Sequence, residues 1–431
     1  MKKLLVVLTI ATIALAGCQK KQAAGSPPPR AAENKLVVWS FTDELGGMIE
    51  KAGYGFKATH PDVSVEYSMT PTEQFPSKLD PVLASGQGTP DVFALEDSFV
   101  RKYVESGLLL DISDVYNEAK DKLLAYPTQV GSYEGKVYGM SWQATPGALF
   151  YRRSIAKKYL GTDDPEQVQA FVKDLPTFLA TAEKLKQDSN NSCVIISALG
   201  DLQRPFEGGR KQPFVVDNKL VIDPAIEQFF DVAKEMYEKG YEGRVGQWSE
   251  GWFAGMKGEL TDENGNLLEV FSFFLPTWGL HYVLKTNAPD TSGDWGMVPG
   301  PIPYRWGGTW IGAWKDTKNP AAAKEFIRYL TTDDSFLEAY ARESGDLVSN
   351  LNVVNKIKDN FSEPFLGGQN HYAAFAEMAK GVNGNLTQGT DQVIEGTMME
   401  AIAAYTNNEK SKEQALSDWK SAVSSQLGLD Q

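Results

Sequence analysis

The chain has 431 residues, 42% of them apolar and 23% charged, with a formal charge of −14. That length exceeds one ordinary core, so two domains are expected, and the acidic balance argues against nucleic acid and against a polybasic grip on anionic lipid. Three histidines far apart in sequence (His60, His281 and His371) give no ligand spacing, so a zinc site or a histidine-based triad is poorly supported and no metal or cofactor is expected.

At the N-terminus, Lys2 and Lys3 precede an apolar stretch over residues 4–16, too short to span a bilayer and of signal-peptide length. Leu15-Ala16-Gly17-Cys18 follows and resembles a bacterial lipobox, in which Cys18 is acylated and begins the mature chain. The alternative is an ordinary secretory signal in which Cys18 is incidental. Residues 1–17 are therefore expected to be a signal peptide and 18–34 a lipidated tether. That tether carries Lys20, Lys21, Gly25, Ser26 and Pro27-Pro28-Pro29, has little to bury, and over fifteen residues reaches at most roughly 50 Å. Such a protein works outside the cytoplasm, on the outer face of the cytoplasmic membrane or in the periplasm, held by lipid. Cys193 is then the remaining thiol, and its neighbours Val194-Ile195-Ile196 mark it as a buried, inert cysteine rather than a nucleophile.

From residue 35 the pattern alternates. Residues 36–39 read as a buried strand, and Val63, Val65 and Tyr67 alternate as a second. Between them, 45–59 carries Met48, Ile49, Ala52 and Phe56 at helical spacing. A helix over 75–85 should stop at Gly86, before a third strand over 91–95. This order predicts an α/β fold with mostly parallel sheets flanked by helices. Asp223-Pro224 and Asn319-Pro320 each open a further helix, the first closing at Gly240. Asp262-Glu263-Asn264-Gly265-Asn266 has Leu267 where a calcium loop needs glycine, and reads as a hairpin turn.

Three blocks carry a family likeness: Gly88-Thr89-Pro90-Asp91-Val92-Phe93 with Tyr103-Val104-Glu105-Ser106-Gly107-Leu108-Leu109; Tyr133-Glu134-Gly135-Lys136-Val137-Tyr138-Gly139 with Leu149-Phe150-Tyr151; and Gly307-Gly308-Thr309-Trp310 with Gly345-Asp346. In this order they resemble the extracellular solute-binding proteins of carbohydrate ABC transporters, the group containing the maltose-binding protein. The resemblance implies a two-lobed type II binding-protein fold whose hinge is crossed three times. Lobe one would hold 35–144 and 306–345, and lobe two 145–305 and 346–431. It also implies a monomer that captures a sugar between the lobes, performs no catalysis, and delivers its ligand to the permease subunits.

Ligands of open α/β sheets bind beyond the carboxyl ends of strands. Trp39, Phe41, Asp43 and Glu44 follow the first strand; Glu96 and Asp97 follow the third. Asp97 stands at an acidic position that binds sugar hydroxyls in the resembled family, or else caps a helix beginning near Ser98. Trp278 stands at a stacking aromatic of that family. Trp142, Gly308, Trp310 and Asp346 lie at or beside the expected crossings. Trp252, Trp295, Trp314 and Trp419 are expected in packing roles, and Trp248 and Trp306 receive no assignment. Leu202-Gln203-Arg204-Pro205-Phe206 resembles a family segment that supplies a carboxylate and an aromatic, but Arg204 stands where the carboxylate would be, and Thr145 replaces an acid of the maltose-binding member. Arg204 makes an acidic sugar conceivable, or is a plain surface residue. Rival readings are a secreted glycoside hydrolase and a binding-protein-like sensor for a non-sugar solute.

Overall fold

The computed structural model describes residues 35–430; the expected signal peptide, the tether and Cys18 lie outside these described residues. Nine strands build two sheets: β1 (Lys35–Ser40), β2 (Ser64–Met69), β3 (Val92–Glu96), β4 (Met140–Ser141), β5 (Gly147–Arg152), β6 (Cys193–Ile196), β7 (Glu269–Pro276), β8 (Trp295–Val298) and β9 (Thr309–Ala313). The first sheet has the order β2-β1-β3-β9-β4 and the second the order β8-β5-β7-β6.

The α/β class holds, but the sheets are mixed rather than mostly parallel. β1 runs parallel to β2 and β3, while β9 runs antiparallel to both β3 and β4. In the second sheet only β6 and β7 are parallel, and β5 is antiparallel to both its neighbours. Parallel pairs need a crossover helix, which the βαβ segments supply. β9 arrives from a distant part of the chain, is buried throughout, and shows no periodicity that would reveal its direction.

Several elements follow directly from local chemistry. The helix Pro224–Lys239 starts where Asp223 accepts the Ala225 N–H at 2.9 Å and ends at left-handed Gly240. It buries Ile226, Phe229, Phe230, Ala233 and Met236. The helix Phe75–Ser85 likewise ends at left-handed Gly86. The expected helix over 45–59 is instead two, Asp43–Glu50 and Phe56–Thr59. The break falls at Gly53, with φ +90°, and at Gly55, where a Cβ would sit 2.6 Å from the Lys51 backbone. Asn319 does not cap its helix; its amide donates to the Lys35 carbonyl at 2.8 Å and ties that helix to β1. The Asp262 turn forms through an Asx bond to the Asn264 N–H at 2.9 Å and is flanked by one antiparallel bridge, Thr261 to Leu267. Cys193 is buried, and burial pushes its thiol up, away from reactivity.

Between the sheets the chain passes over 142–147 and 304–308, and the segment 345–350, between two helices, runs beside the first of these. These passages are laced together. Ala144 and Ser349 donate N–H bonds to Leu347 and Trp142 carbonyls, both at 2.8 Å, and Gly147 donates to Tyr304 at 2.8 Å. The Thr145 hydroxyl adds a bond to the Gly307 carbonyl at 2.8 Å.

Candidate functional site

Beside these passages opens a cleft of about 560 Å³, within the usual range for small-molecule sites. The β3–β9 register sets one side of it: Thr309 lies opposite Glu96, and the Asp97 N–H bonds the Gly308 carbonyl at 3.1 Å. Phe41 and Glu44 reach it from just beyond β1, as the strand-end rule requires. Opposite, Pro276 at the end of β7 pairs with Gly147, which brings Trp278 to the cleft directly after the strand.

Three indoles form the wall. Trp248 and Trp278 lie nearly parallel with centroids 6.3 Å apart, and Trp306 stands edge-on to both, at 5.8 and 5.4 Å. The Trp278 indole N–H donates to the Trp306 carbonyl at 3.0 Å, which fixes the ring. Such faces cover the C–H patches of a polyol while leaving its hydroxyls to polar groups.

The polar groups are mainly acidic. Glu44, Glu73 and Glu96 line the cleft with Gln143 and Tyr282, and no lysine or arginine stands among the described lining residues. Burial and the neighbouring Asp346 push Glu44 up to about 7; burial and Asp97 do the same for Glu96. The Tyr340 hydroxyl lies within hydrogen-bond reach of both Glu44 and Asp346. It carries one proton for two acids, so a neutral Glu44 relieves the repulsion. Burial raises Asp346 to about 6, and its carboxylate also accepts from the Gln143 amide at 3.2 Å.

Of the residues expected to bind ligand, the structure brings Phe41, Glu44, Trp278 and Gly308 to the cleft. Asp346 lies behind it, buried, acting through Gln143 and Tyr340. The structure places the others outside the cleft lining. Trp39 packs under Lys78, whose ammonium sits 4.2 Å from the ring centre, and Asp43 is an exposed first-turn residue of its helix. Asp97 pairs with Arg305, while Glu96 rather than Asp97 caps the helix Asp97–Val104, accepting the Ser98 N–H at 2.7 Å. Trp142 and Trp310 are core residues, and the Trp310 N–H bonds the Pro127 carbonyl at 2.7 Å. Thr145 is buried within the passages. Phe206 stacks on Phe229 at 4.9 Å inside the second core. Arg204 is half-buried outside this cleft, in a smaller pocket that Asp97 also lines, and its guanidinium bonds Glu207 at 2.8 Å and Glu395 at 2.5 Å.

Sequence reasoning missed Trp248, Trp306, Tyr282 and Gln143. Trp306 had a signal in its place beside Gly307-Gly308; Tyr282 lies on a π-helical turn, Gly279–Leu284, of a kind frequent at functional sites.

Residues 52–364 match the model of the bacterial extracellular solute-binding protein family, and the chain belongs to that family. Among curated proteins it is similar to the lactose-binding protein of Rhizobium radiobacter, 23% identical over 80% of this chain and 82% of that one. It is also similar to the arabinooligosaccharide-binding protein of Bacillus subtilis strain 168, 23% identical, where the match spans 36% of each chain. A crystal structure of an extracellular solute-binding protein of family 1 superposes with a TM-score of 0.79 at 18% identity, covering 91% of this chain and 99% of that one.

Proposed function

We propose that this protein is the sugar-capturing component of an ABC importer, working outside the cytoplasm and anchored by lipid on Cys18. The observation that carries the reading is the wall of Trp248, Trp278 and Trp306 in one cleft with the acidic side chains of Glu44, Glu73 and Glu96. The names of the lactose- and arabinooligosaccharide-binding relatives support a neutral sugar. So does the lining: it holds three acidic side chains and no cation to pair with an acidic sugar, and Arg204, bonded to Glu207 and Glu395, is not part of it.

The two lobes, 35–144 with 306–345 and 145–305 with 346–431, close about the segments 142–147, 304–308 and 345–350. A ligand touching Phe41 and Glu44 on one side and Trp278 on the other gains its full contacts only in the closed form, so binding shifts the population toward it. The permease subunits then recognise that closed shape, and a monomer suffices. A second reading, hydrolysis, draws on two carboxyl groups, Glu44 and Glu96, raised toward neutrality in one cleft.

Calorimetric titration with neutral di- and trisaccharides, lactose and arabinotriose among them, and with uronic acids tests both. Saturable binding of a neutral sugar that is recovered with its mass unchanged is expected. Binding of uronic acids alone would contradict the assignment, and loss of the sugar's mass would favour the hydrolase.

A further inference from the structure

Trp248 has φ +68° and is 48% exposed. Left-handed backbone is an outlier for a bulky residue, and half-exposure returns little burial in exchange. Strain of this kind persists where the surroundings over-determine it, and it gathers at ligand-binding positions.

The surroundings do so through one buried acid. Asp201 is 2% exposed and lies on the 3-10 turn Leu199–Leu202. Its Oδ1 accepts the Gln247 amide at 2.9 Å and the Trp252 indole N–H at 2.9 Å. These groups lie on either side of Trp248 in sequence. Between them, Ser249 caps the helix Glu250–Lys257 by accepting the Trp252 N–H at 3.3 Å. The chain before and after Trp248 is thus pinned to the same carboxylate, and the residue between has no freedom to relax. Its ring stands parallel to Trp278 and 5.1 Å from Trp252.

Resting on the reading of the cleft as the ligand site, we propose that Trp248 is a specificity-determining residue held in a strained conformation for sugar contact, with Asp201 as its positioning residue. Asp201 lines no part of the cleft and acts only through the segment it pins.

The test uses the full chain. Trp248→Ala and Trp248→Gly should both weaken binding of the tightest sugar among lactose, arabinotriose and related oligosaccharides at least about tenfold, the loss expected of a stacking aromatic. The glycine variant, free of the φ penalty, should melt above the alanine variant. Wild-type binding by both, with binding lost in Trp278→Ala, would overturn the role of Trp248 and leave the cleft reading intact. A glycine variant that melts at or below the alanine variant would overturn the strain. For Asp201, the readout is the near-UV circular dichroism of the indole cluster, which needs no ligand. Asp201→Asn keeps the shared acceptor oxygen and should preserve both the spectrum and binding. Asp201→Leu should lose the cluster signal and weaken binding while far-UV dichroism stays unchanged. An unchanged near-UV spectrum in Asp201→Leu would overturn the positioning role.

Discussion

Glu44 and Asp346 share the Tyr340 hydroxyl, so the cleft floor is a titrating unit rather than a set of independent side chains. The folded Glu44 carboxyl sits near 7 against an ordinary value of 4.5, raised first by burial and then by Asp346. Between those pH values the native state holds more protons than the unfolded chain. The contribution of this group to stability is therefore greatest below about pH 4.5 and falls as pH rises through about 7. Glu44→Gln removes that loss, so the variant should gain stability relative to wild type on going from pH 5 to pH 8, read by urea denaturation. An equal difference at both pH values would contradict a Glu44 carboxyl raised by burial and Asp346. Trp278 was legible in the sequence through the family resemblance, and the structure places it directly after a buried strand. Trp248 was not, since its place depends on Asp201, remote in sequence, and on a backbone conformation that tryptophan rarely adopts.

At the level of elements, the passages between the sheets are as tightly packed as the cores they join. The Tyr304 ring lies against Gly147 at the start of β5, and its hydroxyl donates toward the Ala148 and Leu275 carbonyls at 2.9 and 3.2 Å. A Cβ on Gly147 would fall 2.0 Å from the ring. Gly147→Ala should destabilise the fold by about 3 kcal/mol or more, the upper range of overpacking, seen as a lower denaturation midpoint. An unchanged midpoint would contradict this packing. β1 to β3 and the Pro224–Lys239 helix could be read from periodicity and caps, because those signals are local. The antiparallel entry of β9 could not, because a strand buried on both faces carries no mark of its direction. The surroundings of Asp97 and Arg204 were hidden for a related reason: each pairs with an oppositely charged partner from a distant segment, Arg305 for one and Glu395 for the other.

For the molecule as a whole, the decisive arrangement is one cleft lined by residues that follow strands of both sheets. Phe41, Glu44 and Glu96 come from around the first sheet, and Trp278 follows the second. The order of blocks along the chain already implied this architecture through family resemblance, whereas the composition of the cleft, acidic and free of lysine and arginine among its described residues, needed the fold. A binding protein of this design works by closing on its ligand, and the indole wall is what the ligand would meet. The most direct measurement is calorimetric titration of Trp278→Ala beside wild type, with the neutral sugar that wild type binds. The account predicts an affinity at least about tenfold weaker, near 1.4 kcal/mol, with the melting transition still cooperative. Wild-type affinity in a folded Trp278→Ala variant would contradict it.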